Sequence, residues 1–283
     1  MNISVIIPTL NAGRFIDRLL SGLLSQDLQP AEIIVIDSSS EDTTAQIAEK
    51  FGVKTMVIPR NTFNHGRTRN QAALAAEGDI LVFMTQDALP VNNNLLRSLT
   101  APLHEFDIAA TYARQIPRPD APLLEVFTRH FNYPENASVK SMNDLRQLGI
   151  KTFFSSNVCS SMKKECFVEV GMFPETVRAN EDMVITAKYI TKGYKVAYVP
   201  EAMVIHSHNY SLARQYRRYY NIGSSIRRNR WILDYTRAEG EGMKFIREQI
   251  AFVVQEHKFH LIPYIFFESL AKYTGFRMGL VTG

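Results

Sequence analysis

Residues 80–90 read ILVFMTQDALP, an apolar run that ends in a threonine, a glutamine and a carboxylate. The five residues from Ile80 to Met84 suit a short β-strand that is buried on both faces. Asp87 follows this strand directly. Asp before Ala-Leu-Pro is ordinary turn chemistry, but a carboxylate at a strand end is also suited to hold a metal ion or a phosphate. The stretch therefore predicts a buried strand and a candidate ligand site.

Three similar apolar runs precede this one, and amphipathic stretches separate them. The runs are ISVIIP, EIIVID and KTMVIP, and the stretches cover residues 12–26, 41–51 and 66–76. The resulting β-α-β-α-β-α-β order predicts an α/β, Rossmann-like fold with a mainly parallel central sheet flanked by helices. In such sheets, ligands bind at the carboxyl ends of the strands.

The second half of the chain follows a different pattern. KTFFSSNVCSSMKK, residues 151–164, predicts a strand that enters a short helix, and NEDMVITAKYITKG predicts a helix that ends at Gly193. YKVAYVPEAMVIHSH, residues 194–208, predicts a pair of strands. From Ser211 onward the sequence is mainly helical and basic.

Composition indicates a globular protein with a substantial core, since 46% of the 283 residues are hydrophobic and the net charge is +4. The positive charge lies late in the chain, because residues 201–283 hold 12 Lys and Arg against 7 Asp and Glu. Two cysteines are too few for a disulfide framework, which favours a reducing, cytoplasmic environment. The N-terminal MNISVIIPTLN is predicted to be a strand and not a signal peptide.

Mainly polar segments lie where the four early strands end. The segments contain Pro8, Thr9 and Asn11, then Asp37 to Asp42, then Phe63 to Asn70, and finally Thr85 to Asp87. Each group alone has a structural explanation, such as a helix cap or a solvated helix charge. Together they indicate a nucleotide diphosphate site. No G-x-G-x-x-G or G-x-x-x-x-G-K-[ST] loop is present to hold phosphates, and a metal ion on a carboxylate is the usual substitute.

Several of these segments resemble an inverting family 2 glycosyltransferase with the GT-A fold. The resemblance covers about the first two hundred residues and is carried by SVIIPTLNAGRFI, IIVIDSSSEDTT, TQDA and NEDM. FNHGRTRNQA, TQDA and HSHNYSLARQYRRYYNIG resemble, more narrowly, the bacterial rhamnosyltransferases of that family. The resemblance implies a catalytic domain over residues 1–208, with a nucleotide-binding half (about 1–115) and an acceptor half (about 116–208). Residues 209–283 then form a basic and aromatic helical C-terminal extension.

The resemblance also implies a donor-binding set at the strand ends. Asp37 would hydrogen-bond the pyrimidine base, and Arg69 would lie near the base or the diphosphate. The full predicted donor set is Pro8, Thr9, Asn11, Asp37, Ser39, His65, Arg69, Gln86 and Asp87.

Asp87 is also the predicted ligand of a divalent cation, Mg²⁺ or Mn²⁺. The family often carries two acids at this position, and here Thr85 occupies the first place. The resemblance implies that His206 or His208 supplies further ligands. The other interpretation of the His-Ser-His sequence is a surface loop.

The predicted general base is Asp182, with Glu181 as its neighbour. Two acids at a helix start also complement the helix dipole, so the family resemblance is what favours catalysis. Ser156 and Asn157 offer hydrogen bonds to acceptor hydroxyls, although a polar strand end explains them equally well.

Residues 211–230 contain six arginines, interleaved tyrosines and no acid. This pattern fits nucleic acid, an anionic membrane surface, a grip on the diphosphate, or a solvated helix. The apolar segment after His260 is too interrupted by charges to span a bilayer. We expect peripheral association with the inner face of the cytoplasmic membrane and no nucleic acid, and the aromatic C-terminal helices could pair in a homodimer.

The resulting functional prediction is transfer of L-rhamnose from dTDP-L-rhamnose onto a hydroxyl of a lipid-linked glycan, in cell-surface polysaccharide or O-antigen synthesis. Three alternatives remain open. They are a UDP-hexose donor, a nucleotidyltransferase, and a nucleotide-sugar-binding protein with a decayed site.

Overall fold

A computed structural model describes residues 1–236 and 241–283 of the chain. Within them the strands are β1 (Ile3–Thr9), β2 (Glu32–Asp37), β3 (Lys54–Val57), β4 (Ile80–Met84), β5 (Leu89–Pro90), β6 (Ile108–Ile116), β7 (Ser138–Lys140), β8 (Cys159–Lys163) and β9 (Lys195–Ile205). The helices are α1 (Ile16–Leu24), α2 (Thr44–Lys50), α3 (His65–Ala75), α4 (Leu95–Thr100), α5 (Leu123–Asn132), α6 (Leu145–Leu148), α7 (Lys164–Glu169), α8 (Glu181–Thr191), α9 (Leu212–Arg228), α10 (Glu241–Gln255) and α11 (Ile262–Thr282).

The strands form one sheet in the order β3-β2-β1-β4-β8-β6-β9-β5, with β7 paired to β9. The first four strands are parallel, as predicted, and Thr9 lies opposite Asp37 in the register of β1 and β2. The sheet is mixed beyond them, because β8 is antiparallel to both β4 and β6 whereas β6 and β9 are parallel. The α/β class is confirmed, and the carboxyl ends of β1, β2 and β4 share one edge.

The apolar run of β4 is explained by a core on each face of the sheet. Ile80, Val82 and Met84 belong to one hydrophobic cluster, whereas Leu81 and Phe83 belong to the other. Successive side chains of a strand point to opposite faces, so a strand covered on both sides must be apolar throughout. This rigid strand ends immediately before Thr85.

Two segments of the second half differ from the prediction. Residues 194–208 contain the single strand β9 and not a strand pair. Ala113 of β6 pairs with Val199 and Arg114 pairs with Met203, so three extra residues, starting with Pro200, interrupt the ladder without ending it. Proline lacks the N–H that the ladder requires, and it gave the sequence the appearance of a turn. The predicted strand at 151–164 is also shorter, because β8 begins only at Cys159.

The C-terminal helices pack against each other and against the catalytic part of the chain. A Cβ at Gly279 of α11 would collide with the carbonyl oxygen of Tyr220 in α9, so glycine permits close contact of the two backbones. Phe245 of α10 lies 5.3 Å from Phe127 of α5, measured between ring centroids. Among the described residues, no helix combines the length and apolarity that a membrane crossing requires.

Candidate active site

The ends of β4 and β9 bring together the three predicted metal ligands. His206 Nε2 lies 3.6 Å from Asp87 Oδ1, and His208 Nε2 lies 3.9 Å from Asp87 Oδ2. One ligand atom from each residue lies within 4.8 Å of the others. Residues that are more than a hundred positions apart in the sequence therefore converge at the edge of the sheet where a parallel α/β fold binds its ligands.

The ligand atoms of Asp87, His206 and His208 fit a divalent cation. Burial, together with the neighbouring His208 and nearby arginines, lowers the pKa of His206 well below its usual value. The imidazole is therefore neutral at physiological pH, which is the form that binds metals. A carboxylate and two imidazoles provide one negative charge and three ligand atoms, leaving further coordination positions for a diphosphate.

The candidate base, Asp182, lies in the first turn of α8. Its Oδ1 accepts a hydrogen bond from the Met183 N–H at 2.8 Å, and its Oδ2 accepts one from the Asn157 N–H at 3.4 Å. Burial and the negative charge of Glu181 raise the pKa of Asp182 to about 7. A base with such a pKa is partly ionised near neutral pH and can accept a proton from a hydroxyl.

Glu181 is engaged in a buried ion pair. Its Oε1 lies 3.3 Å from Arg69 Nη1 and also accepts a hydrogen bond from Asn157 Nδ2 at 3.3 Å. Burial opposes ionisation of Glu181, but the Arg69 guanidinium, His65 and the hydrogen bond from Asn157 together outweigh it and lower the pKa of this carboxyl. Of the two adjacent acids, Glu181 is neutralised by Arg69, and Asp182 is free of such a cation contact among the described residues.

The predicted donor residue Arg69 thus contacts the acid next to the candidate base. It is only 3% exposed, and its Nη1 also donates to the His65 carbonyl at 3.0 Å. The donor role predicted for Arg69 stays a prediction, and the ion pair with Glu181 is what the geometry presents.

The segment from Asn64 to Asn70 fixes the loop that leads into α8. Asn64 caps α3 and donates through Nδ2 to the Val177 carbonyl at 2.8 Å. A Cβ on Gly66 would collide with the carbonyl oxygen of Pro174, so glycine is needed for this close approach. His65 begins α3 beside this contact. The segment therefore helps to set the position of the candidate base.

The loops after β1 and β2 are held together by Asp37. Its Oδ1 accepts hydrogen bonds from Thr9 Oγ1 at 2.7 Å and Ser40 Oγ at 2.6 Å, and its Oδ2 accepts one from the Ser40 N–H at 2.8 Å. Asn11 and Ser39 adopt positive φ angles of 50° and 55°, a region that non-glycine residues rarely occupy and that is often associated with function. Asp37 thus accepts three hydrogen bonds that hold together the loops predicted to bind the sugar-nucleotide donor.

Gln86 joins the loop after β4 to the loop after β1. Its Oε1 accepts from the Leu10 N–H at 2.8 Å, and its Nε2 donates to the Leu10 carbonyl at 3.2 Å. Pro8 is buried within β1. The hydroxyl of Thr85, where the family often has an acid, is buried without a hydrogen-bond partner in the described part of the chain.

Comparison with known proteins identifies the family. Residues 4–171 match the family model described as Glycosyl transferase family 2. The chain belongs to glycosyltransferase family 2. It is 40% identical over 280 residues to the O-antigen chain rhamnosyltransferase WbaN of Salmonella anatum, covering 98% of this chain and 88% of that protein. It is 39% identical over 282 residues to the O-antigen chain rhamnosyltransferase RfbN of Salmonella typhimurium, covering 99% and 90% respectively.

Solved structures show that this family 2 glycosyltransferase has the predicted GT-A fold. The mannosyltransferase PcManGT from Pyrobaculum calidifontis, in complex with GDP-Man and Mn²⁺, matches with a TM-score of 0.62 at 16% identity, covering 96% of this chain and 87% of that one. Residues 1–349 of Staphylococcus aureus TarS, in complex with UDP-GlcNAc, match with a TM-score of 0.60 at 20% identity, covering 99% and 90%.

On the acceptor side of this glycosyltransferase, the polar atoms of Ser156 and Asn157 make internal hydrogen bonds. Ser156 Oγ accepts from Gln115 Nε2 at 2.9 Å, and Asn157 Oδ1 accepts from Ser160 Oγ at 3.0 Å. Ser156 is 8% exposed and Asn157 is 3% exposed. These bonds position the segment that holds Asp182, and direct contact with an acceptor stays a prediction.

Three residues around the candidate metal site were missed by sequence reasoning. Gln115 contacts His206, Tyr133 and Arg129 through its side-chain amide. Gln115 is the penultimate residue of β6. Attention to polar residues at strand ends would have found it if residues 108–116 had been recognised as a strand. The other two residues lie on or after α5 and carry no comparable sequence signal.

Proposed function

We propose that this chain is an inverting rhamnosyltransferase that uses dTDP-L-rhamnose in the synthesis of cell-surface polysaccharide or O antigen. The observation that carries the proposal is the pairing of a one-carboxylate, two-histidine cluster with a carboxyl whose pKa is raised to about 7. The two relatives named as O-antigen chain rhamnosyltransferases, at 40% and 39% identity, favour the sugar and the pathway.

The metal cluster and the candidate base are joined through a short series of contacts. His206 contacts Gln115, which donates to Ser156, and the adjacent Asn157 N–H bonds to Asp182. This continuity supports a single site in which the diphosphate is held at one end and the acceptor hydroxyl is deprotonated at the other. Direct attack from the face opposite the diphosphate inverts the anomeric configuration.

Asp87, His206 and His208 would hold the divalent cation, which stabilises negative charge on the departing diphosphate when it is bound. The protein adds positive charge nearby, because Arg218, Arg129 and Arg118 all act on His206. Arg129 and Arg118 are themselves paired with Glu125 and Asp120, so Arg218 contributes most of this charge. Arg218 comes from the basic stretch of α9, and its guanidinium carbon lies 5.7 Å from the ring centroid of Tyr210. A positive charge next to the metal ligands stabilises the negative charge of a diphosphate.

Calorimetric titration tests the donor and the metal together. The titrants are dTDP-rhamnose, UDP-glucose and UDP-N-acetylglucosamine, each with Mn²⁺, with Mg²⁺ and with EDTA. We expect binding of dTDP-rhamnose that requires the cation and is lost in Asp87→Asn. Asp17→Asn, the same change of charge on the exposed face of α1, is the matched control and should bind like wild type.

The result decides between the alternatives left open by the sequence. Preferential binding of a UDP-sugar would overturn the rhamnose assignment but keep the fold and the base. Binding of a donor without turnover on any acceptor glycan would favour the decayed-site alternative. Transfer followed by NMR of the product's anomeric centre tests inversion, and retention of configuration would contradict direct displacement.

We further propose that residues 209–283 attach the enzyme to the anionic inner face of the cytoplasmic membrane, where a lipid-linked saccharide acceptor is presented. Large apolar residues on α11 are exposed, with exposed fractions of 59% for Phe266, 58% for Leu270 and 63% for Tyr273. Their spacing of four and three residues places them on one face of the helix. The other five arginines between 211 and 230, apart from Arg218, are exposed as well, which suits an anionic surface.

Flotation with anionic liposomes at low salt tests this association. We expect the wild-type protein to float and Phe266→Ser/Leu270→Ser to remain in the bottom fraction. Phe106→Ser changes a residue that is 91% exposed on the catalytic part and should float like wild type. Wild-type protein left at the bottom would contradict the proposal. A dimer in light scattering that the double variant dissociates would instead support the predicted homodimer through the C-terminal helices.

A further inference from the structure

A buried amide lies directly behind one of the metal-binding histidines. Gln115 is 2% exposed, and its Oε1 lies 2.9 Å from His206 Nδ1 and also accepts a hydrogen bond from Arg129 Nη1. Its Nε2 lies 2.6 Å from the Tyr133 hydroxyl and 2.9 Å from Ser156 Oγ. Every hydrogen-bonding atom of this amide therefore has a partner, so its position is well determined.

The partners fix which way the amide points. A guanidinium has donors only, so the side of Gln115 that faces Arg129 must be the oxygen. The reversed amide would direct its NH₂ group at the guanidinium, which places donors against donors. Hydroxyls, which can accept, lie on the other side at Tyr133 and Ser156.

The orientation of the amide determines the tautomer of His206. Because Gln115 Oε1 can only accept, the hydrogen bond at 2.9 Å requires a proton on His206 Nδ1. A neutral imidazole carries one N–H, so Nε2 presents an unprotonated lone pair. That atom lies 3.6 Å from Asp87 Oδ1. A lone pair and a carboxylate oxygen that face each other across this gap form a site for a cation.

We infer that Gln115 is a positioning residue that holds His206 in the Nδ1–H tautomer, with Nε2 directed at a divalent cation shared with Asp87 and His208. The inference rests on the proposed metal-dependent function. The same amide donates to Ser156, next to the Asn157 N–H that bonds to Asp182, so Gln115 contacts both His206 and the loop that supports Asp182. Partners of this kind typically change metal affinity by about 10- to 100-fold when they are removed.

The tautomer is measured without metal. In ¹⁵N-histidine-labelled protein treated with EDTA, two-dimensional NMR distinguishes protonated from unprotonated ring nitrogens, and the His206 signals are those lost in His206→Gln. We expect Nδ1 of His206 to be protonated in wild type, and a mixture of tautomers in Gln115→Met. A wild-type ring protonated on Nε2 would overturn the inference.

The metal affinity is measured by calorimetric titration with Mn²⁺ alone. Gln115→Met should weaken binding by about 10- to 100-fold, whereas Gln115→Glu should stay within about threefold because a carboxylate oxygen also accepts from Nδ1–H. Tyr133→Phe is the control, since it removes a partner on the NH₂ side and leaves the contact with His206. Thermal unfolding confirms that each variant is folded.

The outcomes separate this inference from the proposed function. Unchanged Mn²⁺ affinity in Gln115→Met, or equal losses in Gln115→Met, Gln115→Glu and Tyr133→Phe, would overturn the role of Gln115 and leave the metal-dependent function standing. A wild-type protein that binds no Mn²⁺ would overturn both.

Discussion

Replacing Asp182 by asparagine should remove the base and at the same time stabilise the fold. Loss of a general base typically lowers the rate of transfer by about 10²- to 10⁴-fold. In wild type, a pKa of about 7 leaves the carboxyl mostly protonated at pH 6 and mostly ionised at pH 8. The value of kcat/KM for transfer should therefore rise by about tenfold between these two pH values.

Ionisation of the Asp182 carboxyl, which raises the rate of transfer, lowers the stability of the fold. Burial and Glu181 raise its pKa from 3.8 to about 7, so its contribution to stability is full below pH 4 and is lost as the pH rises to 7. Between pH 5 and pH 8 the ceiling on this loss is about 3 kcal/mol. Because the side chain is partly exposed, we expect Asp182→Asn to gain about 1 to 3 kcal/mol over wild type across this interval.

The assays are transfer from dTDP-rhamnose against pH, and urea unfolding at pH 5 and pH 8 for wild type, Asp182→Asn and the control Asp17→Asn. Glu181→Gln sharpens the test, since removal of the neighbouring negative charge should shift the acid limb of the pH profile down by about one unit. A flat profile between pH 6 and pH 8, or more than a tenth of wild-type transfer in Asp182→Asn, would refute the assignment of the base. An unmoved limb in Glu181→Gln would refute the electrostatic explanation.

Three further predictions follow from the geometry. At the cluster of Asp87, His206 and His208, Mn²⁺ should bind more tightly than Mg²⁺ in calorimetry, because two of the three ligands are imidazoles and Mg²⁺ prefers oxygen. Tighter binding of Mg²⁺ would contradict coordination by the histidines. Gly66→Ala should destabilise the protein by about 1 to 3 kcal/mol in urea unfolding and slow transfer, because the new methyl group meets the backbone at Pro174; wild-type stability and activity would contradict this. Gly279→Ala should cost a similar amount, whereas Gly242→Ala should be neutral or stabilising, because no atom of the described residues lies within 4 Å of the new Cβ. Equal effects would contradict close packing of α9 and α11.

The elements that repeat a simple pattern were predictable from the sequence. Continuous apolar runs predicted β1, β2 and β4, and the polar residues after these strands included Asp87. The third run also forms a strand, β3, but this strand is mainly exposed at the end of the sheet and is not a buried one. Pro200 concealed the continuity of β9. A proline within an apolar run suggests a turn in the sequence, but in the structure β9 pairs with β6 on both sides of Pro200. The network around Gln115 was not predictable, because it joins residues from β6, α5 and the end of β9 through side-chain contacts that have no sequence period.

Thr85 stands where the family often has an acid, and charge explains how the proposed metal site would work without it. Asp87 and two neutral imidazoles carry one negative charge, so a divalent cation held there keeps a net charge of +1 to offer a diphosphate. A second carboxylate at Thr85 would cancel that charge. Arg218 adds further positive charge on the same side, whereas Arg129 and Arg118 are paired with Glu125 and Asp120. The electrostatic attraction for a leaving diphosphate is therefore stronger than in a two-acid site. The loss of one acid is consistent with an active transferase, and it does not require a decayed site.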